Sequence, residues 1–199
     1  MLFGFGKKKT VEAMLAELAG VGIKLRPGTD AEQLVTSLTR AAIEKGGFEL
    51  LLAVMGDEQM DPKTFAMLDP LSDDVWHFDV EAIEDHGSYV RIVESCCRLT
   101  GGDLKLEGPK DYVDVEKEIA WVEFSINGQT ERLDLKVDND WVDPEIFNKL
   151  AECLGETGSK RRFATQGLGQ DLLLICKPPE QISMINRATG LRFKEDFNI

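Results

Sequence analysis

Hydrophobic and polar positions alternate most regularly between Ile119 and Leu135. Two alternating runs flank Asn127-Gly128, a dipeptide suited to a two-residue type I′ turn because both turn positions need positive φ. A hairpin closed by that loop sets Val122 opposite Leu133, Ala120 opposite Leu135, Glu123 opposite Arg132 and Ser125 opposite Thr130. Apolar, charge and hydroxyl pairs therefore agree on one register. In the same register Trp121 lies opposite Asp134, on the face carrying Glu123, Arg132 and Lys136. The period then changes. Asp143-Pro144-Glu145 opens a helix with an Asp N-cap, Pro at the first helical position and an acid in the positive first turn. Phe147, Leu150, Ala151 and Leu154 form its buried stripe.

The same reading applies along the rest of the chain. Val11, Met14, Leu15 and Leu18 recur at helical spacing behind Thr10 as N-cap, with Gly20 as the stop. Ile23 to Leu25 reads as a short strand before the Pro27-Gly28 turn. Thr29 and Glu32 have capping-box spacing and precede a stripe of Leu34, Val35, Leu38 and Ala42 that ends at Gly46-Gly47. Residues 1–47 thus form a helical N-terminal segment. Phe48 to Val54 is a continuous apolar run of strand length and reads as an inner strand. Between Asp57 and Leu71, Asp61-Pro62 is a helix start and Asp69-Pro70 a stop. Val75 to Ile83 alternates Trp76, Phe78, Val80 and Ala82 with His77, Asp79 and Glu81, the pattern of a strand with one wet face. Tyr89, Ile92, Val93 and Cys96 mark a helix closed by Gly101-Gly102. Leu104 and Leu106 suggest a brief strand before a loop through Pro109. Strands at 161–165 and 172–176 form a second hairpin. A last helix opens at Pro178-Pro179-Glu180 and is capped by Gly190, with Leu191 to Phe193 as an edge strand.

Strand, strand, helix thus occurs twice. Each hairpin makes its neighbours antiparallel and each helix must cover an apolar face, which gives an α+β fold. The expectation is a single domain over 1–199, with a mostly antiparallel sheet, helices packed on one side of it and the helical segment at the N-terminus.

Charge narrows the partners. The 199 residues carry a formal net charge of -13, which opposes contact with phosphate backbones and anionic membranes. Ten acids lie between Asp57 and Asp85 (Asp57, Glu58, Asp61, Asp69, Asp73, Asp74, Asp79, Glu81, Glu84 and Asp85) against the single base Lys63. Such a field speeds association with a cationic partner; it also keeps a protein soluble and monomeric. Met1 to Lys9 places its Lys run after the apolar piece, the reverse of a secretory signal. No run approaches about 18 apolar residues, so no membrane span is expected. A cytoplasmic protein with Cys96, Cys97, Cys153 and Cys176 reduced follows.

Candidate chemistry is sparse. His77 and Asp79 share a strand face about 6 to 7 Å apart, an H-x-D fragment that could hold a divalent ion with His86 or Glu81 in a metal-dependent enzyme or small-molecule site. Simple alternation of a solvated strand face explains the same residues. Cys96-Cys97 with His86 as base is opposed by the place of Cys96 in an apolar stripe. Gly167-x-Gly169 joins two strands without opening a helix and so lacks a phosphate-holding dipole. Lys160-Arg161-Arg162 reads as a wet strand end. No cofactor is implied.

The favoured reading is a non-catalytic acidic binding protein with a basic protein partner, contacted through Asp73, Asp74, His77, Asp79, Glu81 and Trp121. In general profile the chain is similar to bacterial immunity proteins that neutralise basic toxins, a likeness of type that rests on no motif.

Overall fold

The computed structural model describes residues 9–35, 38–60, 63–64 and 67–197. Among them the fold is α+β, with six helices and two three-stranded antiparallel sheets. The helices are α1 (Val11–Gly20), α2 (Ala31–Leu34), α3 (Arg40–Gly56), α4 (Ser88–Leu99), α5 (Glu145–Glu156) and α6 (Pro179–Thr189). The strands are β1 (Trp76–Asp79), β2 (Glu107–Asp114), β3 (Ile119–Ile126), β4 (Gln129–Leu135), β5 (Arg162–Gly167) and β6 (Asp171–Lys177). The first sheet has the order β1-β6-β5 and the second β2-β3-β4.

β6 is the axis of the molecule. Its alternate residues enter two different cores, which is why the run Leu172 to Cys176 is apolar at every position. Leu173 and Ile175 pack with α1, α3 and α6, among Met14, Leu18, Leu51, Met55, Ile182 and Ile185. Leu172, Leu174 and Cys176 pack with Trp76 and Phe78 against α4, α5 and the inner face of the second sheet, among Ile92, Phe147, Val122 and Phe124. Helices therefore cover both faces of the first sheet, where the sequence pointed to one sheet covered on one side.

The hairpin register is as the residues dictate: Val122 pairs with Leu133, Ala120 with Leu135, Glu123 with Arg132 and Ser125 with Thr130. Asn127 and Gly128 have φ of 51° and 78°. The Asp143 carboxylate accepts from Glu145 N at 3.0 Å and so caps α5.

Other expectations need correction. Phe48 to Val54 belongs to helix α3, kinked at Gly47. An apolar run of that length carries no period, and here α1 covers one side of the helix and the first sheet the other, so nearly all of it is buried. The helix expected from Thr29 is instead the single turn α2, whose capping box is Asp30 with Gln33, one residue later. Ile23 to Leu25 is not a strand. The strand expected over 75–83 is regular only at 76–79. The segment from Glu107 is strand β2, not a loop. Its pattern is hidden because the inward position Asp111 is polar: its carboxylate accepts from the N–H groups of Gly87, Tyr89 and Val90 at 2.6, 2.8 and 3.1 Å and caps α4 from across the fold. Leu191 to Phe193 forms no strand, and the tail joins β5 through one bridge, Thr165 with Lys194. The helix start at Asp61-Pro62 lies outside the described residues.

Candidate functional site

β1 presents His77 and Asp79 on one face, and Asp79 stands opposite Asp171, the first residue of β6. Asp57, which ends α3, completes the group. The helix meets the strand backbone to backbone, since a Cβ added at Gly56 would stand 2.7 Å from His77 N. The half-buried imidazole has Nδ1 3.5 Å from Asp57 and Nε2 3.6 Å from Asp171. Hydrogen bonding to Asp57 lifts His77 above the ordinary imidazole value. Burial opposes the rise, and the charges of Asp171, Asp57 and Asp79 add to it. The carboxylates around His77 thus favour its protonated form. The cavity beside it measures about 120 Å³ and is lined by Asp57, His77, Asp79, Ala82, Arg91 and Asp171 among others.

Asp73 and Asp74, expected on the same face, are engaged within the fold. Arg26 donates to Asp73 at 2.7 Å and reaches Asp69 at 2.8 Å. Asp74 accepts from Lys24 N at 2.9 Å and pairs with the buried Lys177 at the end of β6. Ser72 adds a bond from its hydroxyl to Lys24 O at 2.7 Å. Residues 69–74 therefore clamp the segment after α1 to the first sheet. Glu58 is likewise paired with Arg91 at 2.5 Å and Arg98 at 3.5 Å, beside a wider cavity of about 330 Å³ that Met67 and Leu68 also line. Burial pulls Arg98 below the ordinary guanidinium value, with Glu58 and Asp73 acting against that shift.

Glu81 lies just past β1, where its N–H donates to Asp79 at 2.9 Å. His86 is elsewhere: its ring packs edge-on against Tyr112 at 4.7 Å and its Nδ1 is 2.6 Å from Asp85. The set His77, Asp79 and His86 is not brought together, and among the described residues no group of three or more His, Cys, Asp or Glu side chains is arranged to hold a metal ion.

Trp121 is on the outer face of the second sheet. Tyr112 stacks on its ring at 6.2 Å and the Arg132 guanidinium lies over the ring at 4.2 Å, so strand neighbours engage it.

Asp171 at the His77 face, and Trp141 in a separate cavity that Asp171 also lines, escaped the sequence reading. Asp171 is joined to Asp79 only by the pairing of β1 with β6, which no local signal specifies. Trp141 is 38% exposed and lines a cavity of about 100 Å³ together with Asp171 and Val80. The signal for it was present: Asp138-Asn139-Asp140-Trp141 is a turn with Asn139 at φ 54°, and an aromatic at a turn among acids has no core to enter. Burial disfavours the thiolate form of all four cysteines, pushing Cys97 to about 11, Cys176 to about 12, Cys153 upward and Cys96 well upward. Among the described residues no helix is long and apolar enough to cross a membrane. No protein-family model, curated protein or solved structure matches the chain.

Proposed function

We propose that this is a non-catalytic binding protein that engages a basic protein partner, in the manner of an immunity or inhibitor protein, through the face around His77. The observation that carries this reading is the division of the acids. Glu58, Asp69, Asp73 and Asp74 are paired with Arg26, Arg91, Arg98 or Lys177. Asp57, Asp79, Glu81 and Asp171 form no ion pair with Lys or Arg among the described residues, and Asp57, Asp79 and Asp171 gather about one imidazole. Uncompensated charge on one side steers a cationic partner, and the exposed Trp141 beside Asp171 supplies an aromatic anchor.

The test is affinity capture from the native host, then association kinetics with the purified partner. The association rate should fall steeply with added salt, and Asp79→Lys with Asp171→Lys should slow it by about tenfold or more. Binding that ignores both salt and those reversals overturns the face. A chain that captures nothing but turns over a small molecule overturns the class.

A further inference from the structure

The four outer strands of the two sheets are not equally protected. β1 has only four residues. β5 is bonded to the C-terminal tail, Thr165 N donating to Lys194 O at 2.8 Å and Lys194 N to Thr165 O at 2.9 Å. β2 is interrupted by an irregularity between Glu107 and Lys110 that contains Gly108 and Pro109, and the first turn of α4 hangs on its Asp111. Short length, coverage and bulges are the usual means of blunting a sheet edge. Among the described residues β4 has none of them.

The two-residue turn fixes which backbone groups of β4 are open. Ile126 and Gln129 close the hairpin as a hydrogen-bonded pair, so the groups of Gln129, Glu131, Leu133 and Leu135 point to β3, and those of Thr130, Arg132 and Asp134 point away. These three residues are exposed, and among the described residues their N–H and C=O groups have no further backbone partner. The open window stops at Lys136, whose N–H donates to the Asp143 carboxylate at 2.6 Å.

We propose that this edge pairs with the same edge of a second copy of the chain, antiparallel about a two-fold axis at Leu133, joining two β2-β3-β4 sheets into one. The charges on the edge select both occupant and register. A two-fold axis sets one residue opposite its own copy. An axis at Arg132 opposes two guanidinium groups, one at Asp134 two carboxylates, and one at Glu131 two glutamates. An axis at Thr130 places Arg132 opposite the turn, where no ladder continues. The axis at Leu133 opposes Leu133 with Leu133 on the inner face. On the outer face it opposes Arg132 with Asp134 of the second copy, and Asp134 with Arg132 of the second copy. Arg132 and Asp134 are also the residues whose backbone groups face outward, so charge pairs and about four backbone hydrogen bonds coincide. Leu133, half-buried at the rim of the core, gains a cover.

Sedimentation of the full chain over a concentration series from about 5 µM to about 500 µM reads the proposal directly. The mass should rise from 22.2 kDa toward twice that value. Arg132→Asp and Asp134→Arg, each made alone, oppose like charges twice and should weaken self-association by about tenfold or more. An equimolar mixture of the two variants places opposite charges in every pair and should restore it. Asp134→Pro, which removes an outward N–H together with the Asp134 carboxylate, should leave a folded monomer by circular dichroism at every concentration. A wild-type chain that stays monomeric overturns the proposal, as does self-association indifferent to either reversal or to Asp134→Pro. A mixture no better than its components overturns the register. Amides 130, 132 and 134 protected only by a different protein would give the edge another occupant and overturn the self-pairing.

Discussion

The two sheets are specified by different kinds of information. In the second, everything that sets the register of β3 and β4 lies within 17 residues: a turn that needs positive φ, alternating side chains and complementary cross-strand pairs. Its outer face is wet, and its ion pairs, such as Lys110 with Glu123 at 2.7 Å, are open to solvent. The first sheet joins β1 to β6 across almost half the chain, and β6 has no wet face. Its register rests on burial from two sides, and its polar groups act at the strand ends as fasteners. Where alternation is available, a local code suffices; where a strand is buried on both faces, charge pairs at its ends tie it to segments distant in sequence.

That contrast predicts unequal costs for the same chemical change. Asp74→Ala leaves the Lys177 ammonium, 5% exposed, without its carboxylate, and should destabilise by about 3 kcal/mol. Glu123→Ala frees a Lys110 that is 62% exposed and should cost less than about 1 kcal/mol. Urea unfolding of both variants measures the difference, and Lys177→Met added to Asp74→Ala should recover most of the loss. Because Phe78 and Leu174 share a core with Val122 and Phe124, we further propose that residues 1–199 unfold as one unit. Tryptophan fluorescence and far-ultraviolet dichroism should then give coincident transitions. Equal costs for the two pairs would break the comparison.

Gly128→Val sharpens it from the other side. A β-branched residue at φ 78° is strained, so the hairpin should lose more than about 1 kcal/mol. Amide exchange should show the loss first in β3 and β4 and later in β6, whose pairing does not depend on that turn. Protection lost equally in β6 would mean that the second sheet's turn also sets the first sheet's register.

The same division explains what could be read from residues alone. The hairpin, the capping of α5 by Asp143 and the stripe of α4 were legible because their signals are local. β2 was not, since its inward Asp111 serves a helix terminus 22 residues away and breaks the alternation. The helix at Phe48 was not, since an apolar run shows no period when both sides are covered. At the candidate site, His77 and Asp79 were legible as one strand face, whereas Glu81 lies past the strand end. Asp57 and Asp171 reach that face through the packing of α3 and the pairing of β6. The engagement of Asp73 and Asp74 depends on Arg26 and Lys177, at opposite ends of the chain.

The smallest expected effect is also the one that isolates His77. Its imidazole contacts Asp57 from α3 and Asp171 from β6, with Asp79 on its own strand and Arg91 of α4 lining the same cavity. These carboxylates raise its proton affinity in the folded state. A group whose folded pKa lies above its unfolded value contributes stability that is fully present below the unfolded value, about 6.5, and is lost as pH rises through the folded one. His77→Gln keeps the size of the side chain and removes the proton. The wild type should therefore exceed the variant most near pH 5.5, and the excess should shrink as pH rises toward 9. His86 is present in both proteins and cancels. Asp57→Asn, which removes the contact that contributes most to the rise, should flatten the pH dependence while leaving His77 in place. A difference that stays constant, or grows with pH, would mean that the imidazole is held as a neutral packing element and that the surrounding carboxylates do not favour its protonation.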